Sequence, residues 1–319
     1  MKLDEESVQL NSFGTKVAVG RITMRTTSWL FKGVSSLLAV SLIHTAAWSI
    51  VRRHDRPDQL YLALANEAPL SSVGFLTTAH GGASGTLIMN GSWVLTAAHL
   101  FDHNRNPSDW FFKLGNDYHP VQEIYIHPSW DPIRASVNDI ALVKLFQPVN
   151  GVTPAQIFTS NNLLGRFAYW VGYGCTGDGL TGYDLSFHDG KRRAMENIID
   201  AFWEDYLLAD FDHPDGTTNA ISWGSPLPLN LEGCLAPGDS GGAVFVLEGG
   251  TWYLAGVNAF GAEIPPVGNG RFDAQYGDVM GATRVDLYAD WINATVPEPA
   301  SMTALAVGLA GVLARRRRR

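Results

Sequence analysis

The chain has 319 residues, of which 46% are hydrophobic and 17% are charged, and this composition excludes a disordered protein. Its two cysteines are too few for a disulfide-rich scaffold or a zinc–cysteine cluster. The net charge is −8, with +2 in residues 1–49 and +4 in residues 298–319, so the middle carries −14 and is not expected to bind phosphate backbones of nucleic acids.

Residues 1–49 have the composition of an N-terminal signal region. An apolar run at residues 33–49 follows the cationic side chains of Arg25 and Lys32 and ends in small residues, which is the layout of a secretory signal peptide. The residues before Met24 are polar and add no further signal, so translation starting at Met24 is an alternative. A buried core helix is the other interpretation of the apolar run, but charged residues follow it at once.

The middle of the chain is predicted to be all-β. Short runs of branched and aromatic residues are separated by Gly, Pro, Asn and Asp, which is typical of an antiparallel sandwich or barrel. The clearest runs lie at residues 85–89, 93–96, 140–145, 168–171, 242–247 and 252–257. Residues 181–232 lack this pattern and are predicted to form a long, partly exposed excursion. Residues 285–292 have apolar side chains at spacings of three and four, which predicts a helix.

The first candidate catalytic residue is a histidine at the end of an apolar strand. Residues 93–99 read WVLTAAH, so two small alanines precede His99 and leave space around its imidazole. A general base that later acts as an acid needs such access to its proton partner. A structural role for a histidine in this place is the alternative.

The second candidate is an aspartate that opens an apolar strand. Asp139 precedes the run IALVKL, so the strand is expected to carry its carboxylate toward the interior. A buried aspartate must be paired, and a histidine ring N–H is a suitable partner because that bond sets the tautomer that catalysis needs. A turn aspartate that caps the strand is the alternative.

Separately from these candidates, residues 210–216 form an acidic segment that reads DFDHPDG. Clustered carboxylates can bind calcium, but their spacing here is not that of an EF-hand loop. The segment is therefore predicted to be a solvated acidic turn.

The last candidate is a serine among glycines. Residues 237–243 read PGDSGGA, and glycine permits backbone turns that other residues resist. Such a turn can direct the amide N–H groups of Gly238 and Ser240 at one point, which forms an oxyanion hole. A plain surface loop is the alternative for this segment taken alone.

Together these segments resemble the chymotrypsin/trypsin family. The order His99, Asp139, Ser240 is that of the family, and the spacings of 40 and 101 residues suit two successive β-barrels that meet at a cleft. Shorter segments that also resemble parts of the family lie at residues 84–88, 127–130, 172–174, 259–261 and 284–292. The resemblance implies an all-β fold of two antiparallel Greek-key β-barrels with a C-terminal helix, and we assign residues 50–293 to this trypsin-like domain.

The resemblance implies a serine endopeptidase that hydrolyses protein or peptide substrates through an acyl-enzyme. His99 would be the base, Ser240 the nucleophile, and Asp139 the support of the imidazolium, while the amides of Gly238 and Ser240 would bind the oxyanion. It implies neither a metal nor an organic cofactor. A non-catalytic envelope binding protein on a protease fold is the alternative. An esterase lacks support, because the Gly-x-Ser-x-Gly elbow needs parallel βα units.

The family also requires a new N-terminus that begins with Ile-Val and pairs with the aspartate before the nucleophile. Here Ile50-Val51 follows an exit for signal peptidase that has small residues at the usual positions. Our hypothesis is that export exposes Ile50, whose ammonium then pairs with Asp239. Cleavage after Ala47, which leaves Trp48 as the first residue, is the competing possibility.

The chain departs from the family pattern at its cysteines. Leu100 follows His99, where the family has a cystine. Cys234 takes the place of the aspartate that selects Lys or Arg in trypsin, so a preference for small or apolar side chains is expected instead. Cys175 falls in a loop near the pocket wall, and our hypothesis is that a disulfide between Cys175 and Cys234 shapes that wall.

Residues 294–319 resemble the PEP-CTERM sorting signal of Gram-negative bacteria. A Pro-Glu-Pro turn precedes an apolar run at residues 302–314 and five terminal arginines. The run is short for about 30 Å of hydrocarbon, although flanking arginines can reach the interface. The resemblance implies a short transmembrane helix that a membrane processing enzyme removes, and delivery to the cell envelope, cell surface or extracellular matrix. Signal peptidase and that enzyme are then the partners, with membrane contact only through the terminal signals.

Overall fold

The computed structural model describes residues 50–134, 137–186, 189–264 and 267–296. The predicted signal region at residues 1–49 and the predicted membrane segment at residues 302–314 lie outside these ranges. Within them, no helix combines the length and the apolar character that a membrane crossing requires.

The first part of the chain forms a closed antiparallel barrel. It is preceded by a short strand, β1 (Val51–Arg52), and a helix, α1 (Asp58–Leu64). The barrel strands are β2 (Val73–Thr78), β3 (Gly81–Ile88), β4 (Trp93–Thr96), β5 (Phe111–Leu114), β6 (Asp117–Ile126) and β7 (Ala141–Leu145). They close in the order β2-β3-β4-β7-β6-β5. Short 3-10 helices lie at Leu70–Ser72, Ala98–Phe101 and Pro107–Asp109.

The barrel core explains the apolar run of β4. This strand pairs with β3 on one side and β7 on the other, and all four of its residues are buried. Leu87, Val94, Phe112 and Val143 are fully buried and pack in the barrel interior. Because β4 is enclosed in this way, it carries the chain rigidly into the 3-10 helix that holds His99.

The second part of the chain is a larger antiparallel sheet. Its strands and the short strands near it are β8 (Gln156–Ile157), β9 (Phe167–Gly172), β10 (Gly177–Asp178), β11 (Gly182–Tyr183), β12 (Arg193–Ile198), β13 (Ala201–Trp203), β14 (Tyr206–Asp210), β15 (Gly233–Cys234), β16 (Ala243–Glu248), β17 (Thr251–Glu263) and β18 (Asp278–Arg284). The sheet runs β12-β9-β16-β17-β18-β14-β13, with β8 on β17.

The two ends of this sheet approach each other without a continuous ladder. The side-chain amide of Asn197 on β12 donates to the Asp210 carbonyl on β14 at 2.7 Å. This bond joins β12, at one end of the sheet, to β14, which is next to the other end. The result is consistent with the predicted fold of two β-barrels.

A small four-stranded sheet, in the order β11-β10-β1-β15, places β1 between two segments of the second part. The described chain ends in a 3-10 turn, Asp286–Tyr288, and a helix, α2 (Ala289–Thr295). The predicted C-terminal helix is therefore present, and its α-helical part begins four residues later than the pattern indicated.

The prediction of a partly exposed excursion at residues 181–232 is wrong for its central part, which contains the buried strands β12 and β14. Arg193 opens β12 and is only 1% exposed, because Asp58 and Asp189 pair with its guanidinium at 2.6 and 3.0 Å. A charged residue thus occupies an interior position, and this interrupts the alternation from which a strand is recognised.

Candidate active site

His99 lies in the 3-10 helix directly after β4. Its backbone N–H donates to Asp139 Oδ1 at 2.9 Å, and its ring Nδ1 lies 2.7 Å from Asp139 Oδ2. The carboxylate therefore holds both the main chain and the ring. Because Nδ1 is bonded to a carboxylate, the neutral ring carries its proton there and leaves Nε2 as an acceptor. The side chain is 29% exposed, so solvent reaches part of the ring.

The pKa of His99 is raised above its ordinary value. Burial of the ring opposes protonation, but the charge of Asp139 and the hydrogen bond to it favour the imidazolium, and Asp102 adds to this effect. The surroundings therefore stabilise a positive charge on the ring. A base that gains a proton during a reaction needs such stabilisation.

Asp139 lies between β6 and β7, where it is 3% exposed. Its carbonyl accepts a hydrogen bond from Thr283 Oγ1 at 2.9 Å. Asp139 belongs to the barrel and Thr283 to β18 of the second sheet, so this bond ties the acid to both parts of the fold. The structure thus places Asp139 in the interior beside His99.

Ser240 lies in the turn between β15 and β16, and this turn is anchored to both parts of the fold. Its carbonyl accepts a hydrogen bond from the Ser84 N–H on β3 at 2.8 Å, while the Ser84 hydroxyl donates to the Gly238 carbonyl at 3.0 Å. On the other side, Gly241 N–H donates to the Asn258 carbonyl on β17 at 2.7 Å. These bonds hold the main chain of the turn on either side of the serine.

The same turn packs directly against the segment that leads to His99. A Cβ at Gly241, where φ is 79°, would overlap Thr96 Oγ1 and lie 3.2 Å from the Ala97 nitrogen. Only glycine combines this close approach with a left-handed backbone. The structure therefore brings the Ser240 turn beside the end of β4.

Two backbone N–H groups of the turn, those of Gly238 and Ser240, find no acceptor among the described residues. Within the part of the chain that the structure describes, no hydrogen bond from the amides of Gly238 or Ser240 is found, whereas Asp239 N–H donates to the Ala236 carbonyl at 3.0 Å. Gly238 has a φ of 95°, and a Cβ there would lie 2.9 Å from the Gly174 Cα. Two unbonded amides in one turn can bind an oxygen that develops negative charge.

Asp239 is fully buried, and its carboxylate accepts three backbone N–H groups. Oδ2 accepts from Ile50 at 3.1 Å and from Ala236 at 2.9 Å, and Oδ1 accepts from Gly174 at 2.8 Å. The two residues that sequence analysis paired, Ile50 and Asp239, are therefore in contact. In the uncleaved chain the donor is the peptide N–H of Ile50.

Ile50 itself is fully buried and has a φ of 59°, which is unusual for a β-branched residue. Its carbonyl accepts a hydrogen bond from Thr176 Oγ1 at 2.7 Å. Val51 follows in β1, opposite Gly177 on one side and Cys234 on the other. Side-chain burial and main-chain pairing thus hold this segment in the interior.

The structure differs from the disulfide hypothesis. Cys175 and Cys234 are both buried, and no disulfide joins them in the part of the chain that the structure describes. The reason is the position of β1, which pairs with β15 at Cys234 on one side and with β10 at Gly177 on the other. The main chain of β1 therefore lies between the segments that carry the two thiols. Burial raises the pKa of Cys175 to about 12 and raises that of Cys234 well above its ordinary value.

Sequence analysis missed a group of four buried carboxyl groups, formed by Asp200, Asp210, Asp212 and Glu232, none more than 5% exposed. Asp212 N–H donates to Glu232 Oε1 at 2.6 Å. No described Lys, Arg or His pairs with any of the four. Burial raises the pKa of Asp200 to about 7 and that of Asp212 and Glu232 to about 8, and it also raises that of Asp210.

The prediction of a solvated acidic turn is therefore wrong for Asp210 and Asp212, while Asp215 is exposed. Asp210 ends a buried strand, and Asp212 follows it into the interior, which short-range spacing does not reveal. Among the described residues, no cluster of three or more acidic, histidine or cysteine side chains is arranged to hold a metal ion.

We predict that Asp212→Asn stabilises the protein increasingly as pH rises from about 4 to about 8. An unfolded aspartate titrates near pH 4, and folded Asp212 titrates at about 8, so between these values the folded chain binds more protons and its stability falls as pH rises. Asparagine mimics the protonated carboxyl group. Urea unfolding should therefore show little change at pH 4 and a gain of several kcal/mol at pH 9, at about 1.4 kcal/mol for each pH unit between the two pKa values.

The matched control is Asp215→Asn, which alters an exposed aspartate of the same segment and should show no alkaline gain. An equal effect of Asp212→Asn at both pH values would contradict the assignment of a protonated, buried carboxyl group.

Comparison with known families gives two matches. The family described as "Trypsin-like peptidase domain" matches residues 83–253, which include His99, Asp139 and Ser240. The family described as "PEP-CTERM protein-sorting motif" matches residues 295–319.

Curated relatives are similar over about two thirds of this chain. Human serine protease 41 is 28% identical over 66% of this chain and 67% of its own length. Mouse vitamin K-dependent protein C is 28% identical over 68% of this chain and 46% of its own length. Ovochymase of Halocynthia roretzi is 27% identical over 66% of this chain and 13% of its own length. The chain therefore spans at most about two thirds of the length of these relatives.

Proposed function

The chain belongs to the trypsin-like peptidase family, and from that premise we propose that it is an exported serine endopeptidase. The observation that carries the proposal is the pairing of His99 with Asp139 through two hydrogen bonds, next to the turn that bears Ser240. A histidine held in this way has one ring nitrogen fixed and the other available for a proton.

In the proposed mechanism, Ser240 Oγ attacks the carbonyl carbon of a peptide bond and gives its proton to His99 Nε2. The protonated His99 then donates that proton to the leaving amine, which leaves an acyl-enzyme on Ser240. Water attacks the ester, again with His99 as the base, and releases the acid product. Asp139 stabilises the imidazolium in both steps, in agreement with the raised pKa of His99.

The N–H groups of Gly238 and Ser240 would bind the oxygen of the tetrahedral intermediates. Support comes from their lack of an acceptor within the described residues and from the position of both in the nucleophile turn. Each such donor lowers the barrier by about 3–4 kcal/mol because it acts where charge develops.

We also propose that cleavage before Ile50 activates the enzyme. The contact between the Ile50 nitrogen and Asp239 supports this, because cleavage would turn that N–H into a buried ammonium beside a carboxylate. Signal peptidase would then be the activating partner, and residues 1–49 the removed signal. N-terminal sequencing of the exported protein tests this proposal: Ile50 as the first residue supports it, and Trp48 rejects it.

The match at residues 295–319 supports the proposal that the chain is sorted to the envelope, cell surface or extracellular matrix of a Gram-negative bacterium. In this scheme a processing enzyme removes the C-terminal segment 294–319, and residues 50–293 form the trypsin-like domain. Fractionation with antibodies to residues 50–293 and to the last residues tests it. Both epitopes in one cytoplasmic species would reject it.

The substrate preference is proposed to be for small or apolar side chains. Cys234 is fully buried and supplies no negative charge for Lys or Arg. The ring of Phe272 also covers Gly261, where an added Cβ would overlap it, and Gly261 belongs to the segment that resembles the substrate-aligning strand. Both observations favour a narrow, uncharged pocket.

We predict that Phe272→Ala widens this preference. Removing the ring opens space beside Gly261, so kcat/KM for peptides with large apolar side chains should rise about tenfold relative to those with small ones. Cleavage of a peptide library measures the ratio, and Phe202→Ala, which removes an aromatic ring from β13, is the control. An unchanged ratio in Phe272→Ala would show that the ring does not limit the pocket.

The proposed activity is tested with a fluorophosphonate probe on the processed protein, with Ser240→Ala as the control. Labelling of the wild type that disappears in Ser240→Ala supports the enzyme. No labelling in either protein, with the N-terminus at Ile50, favours the alternative of a non-catalytic envelope binding protein on a protease fold.

A further inference from the structure

The residue before the candidate catalytic acid has a strained backbone. Asn138 has a φ of 62°, in the left-handed region that non-glycine residues seldom adopt. It directly precedes Asp139, so its conformation sets the direction in which the chain delivers that carboxylate. Such strain persists only where surrounding contacts over-determine the conformation.

Four hydrogen bonds hold Asn138 in this conformation. Its backbone N–H donates to Asp205 Oδ2 at 2.7 Å, and its side-chain Oδ1 accepts from the Tyr288 hydroxyl at 3.1 Å. Its side-chain Nδ2 donates to the Ser129 carbonyl at 3.3 Å, and its carbonyl accepts from the Ile140 N–H at 2.8 Å. The last two partners lie in the same segment between β6 and β7, whereas Asp205 and Tyr288 come from distant parts of the fold.

Asp205 reaches Asn138 from the second part of the fold. It lies in the tight turn between β13 and β14, and it is 7% exposed. Its carbonyl accepts from the Arg284 N–H at 2.8 Å, and its carboxylate also accepts a short hydrogen bond from the Tyr288 hydroxyl. The turn is therefore fixed on the second sheet, and its carboxylate extends to the barrel.

The two oxygens of the Asp205 carboxylate differ in their contacts. Its Oδ1 is buried, and within the described residues it has no hydrogen-bond partner. Its Oδ2 accepts from the Asn138 N–H and from the Tyr288 hydroxyl, so this oxygen makes the contacts that reach Asn138.

We propose that Asp205 is a positioning residue for the reaction, which holds Asn138 in its left-handed conformation and thereby keeps Asp139 aligned with His99. The proposal rests on the proposed function, because it assigns Asp139 and His99 to catalysis. Asp205 acts through Asn138 and touches neither reacting group. The Thr283 bond to the Asp139 carbonyl holds the other side of the same residue.

The effect of Asp205 on His99 is geometric. The charged groups that raise the pKa of His99 are Asp139 and Asp102, and Asp205 is not among them. A change in the titration of His99 after mutation of Asp205 therefore reports movement of Asp139. Loss of its alignment would weaken the Nδ1 bond and lower the pKa of His99, so the acid limb of the kcat/KM profile would move to lower pH.

The test uses the processed, full protease domain chain with four variants. Asp205→Ala removes the acceptor, and we expect kcat to fall at least about tenfold with KM nearly unchanged and with the acid limb at lower pH. Asp205→Asn keeps an amide oxygen for the Asn138 N–H, so it should restore most of kcat. Tyr288→Phe removes the hydroxyl that contacts both Asp205 Oδ2 and Asn138 Oδ1, and it should lower kcat severalfold. Asp286→Asn removes a nearby buried carboxylate and is the control.

The outcomes separate this proposal from the proposed function. If the wild type fails to label with a fluorophosphonate, the proposed function is overturned, and this proposal is overturned as well. If the wild type is active and folded Asp205→Ala keeps its kcat and its pH profile, only this proposal is overturned. If Asp205→Ala does not fold, the other two variants decide the question. The proposal is overturned if Tyr288→Phe has the kcat and the pH profile of the wild type. It is also overturned if folded Asp205→Asn does not keep most of the wild-type kcat.

Discussion

Replacement of Ser240 by alanine is expected to lower kcat by about 10⁶-fold, replacement of His99 by alanine to lower it to the same extent, and the double variant to be no worse. In the proposed mechanism the two groups act as one unit, because the hydroxyl is a poor nucleophile without the base and the base has no proton to take without the hydroxyl. The structure places the Ser240 turn against Thr96 and Ala97, one residue away from the helix of His99.

Initial rates with a chromogenic peptide ester and the fluorophosphonate labelling rate measure this prediction. Ser108→Ala and His103→Ala are matched controls, because both residues are exposed and lie near the barrel surface. Additive losses in the double variant would mean that the two residues do not work together. Activity of Ser240→Ala close to that of the wild type would show that another residue is the nucleophile.

Asp239→Asn is expected to lower kcat/KM by about 10²–10³-fold while the protein remains folded. Asp239 accepts N–H groups from Ile50, Ala236 and Gly174, so an asparagine must turn its NH₂ toward at least one donor. The neighbouring turn would then shift, and the amides on either side of Asp239 would no longer meet at one point. Loss of one oxyanion donor has an effect of this size.

The measurement is kcat/KM together with the affinity for a peptide boronate, which forms a tetrahedral adduct that needs the same amides. Asp178→Asn is the control, since that carboxylate also accepts two backbone N–H groups, from Leu180 and Thr181, in a different turn. A large fall in thermal stability with normal kcat/KM would show that Asp239 is structural only.

A combined experiment separates activation from stability. In the uncleaved chain, Asp239 meets a neutral N–H of Ile50, and after cleavage it would meet an ammonium. Cleavage before Ile50 is therefore expected to raise the rate of fluorophosphonate labelling in the wild type and not in Asp239→Asn. This rise should not depend on salt concentration, because a buried ion pair is weakly screened by salt.

Local patterns in the sequence predicted the C-terminal helix and most of the strands outside residues 181–232, and they marked the candidate catalytic groups, which the resemblance to a family then brought together. The runs at residues 93–96 and 168–171 lie within β4 and β9, because burial on both faces requires continuous apolar residues. His99, Asp139 and Ser240 stand out since each combines a reactive side chain with unusual neighbours a few residues away. Each of these patterns spans fewer than ten residues, so it can be recognised in the sequence without knowledge of the fold.

The tertiary structure alone decided the contacts between distant segments. Asn138 and Asp205 are 67 residues apart, so no spacing rule joins them. The pairing of Ile50 with Asp239, across 189 residues, was expected only from the resemblance to a family and from no local pattern. The burial of Asp210 and Asp212, and the strand between Cys175 and Cys234, likewise follow from how the sheets pack. A short segment determines its own backbone preference, but which side chains it meets depends on the closure of the barrel and of the second sheet around it.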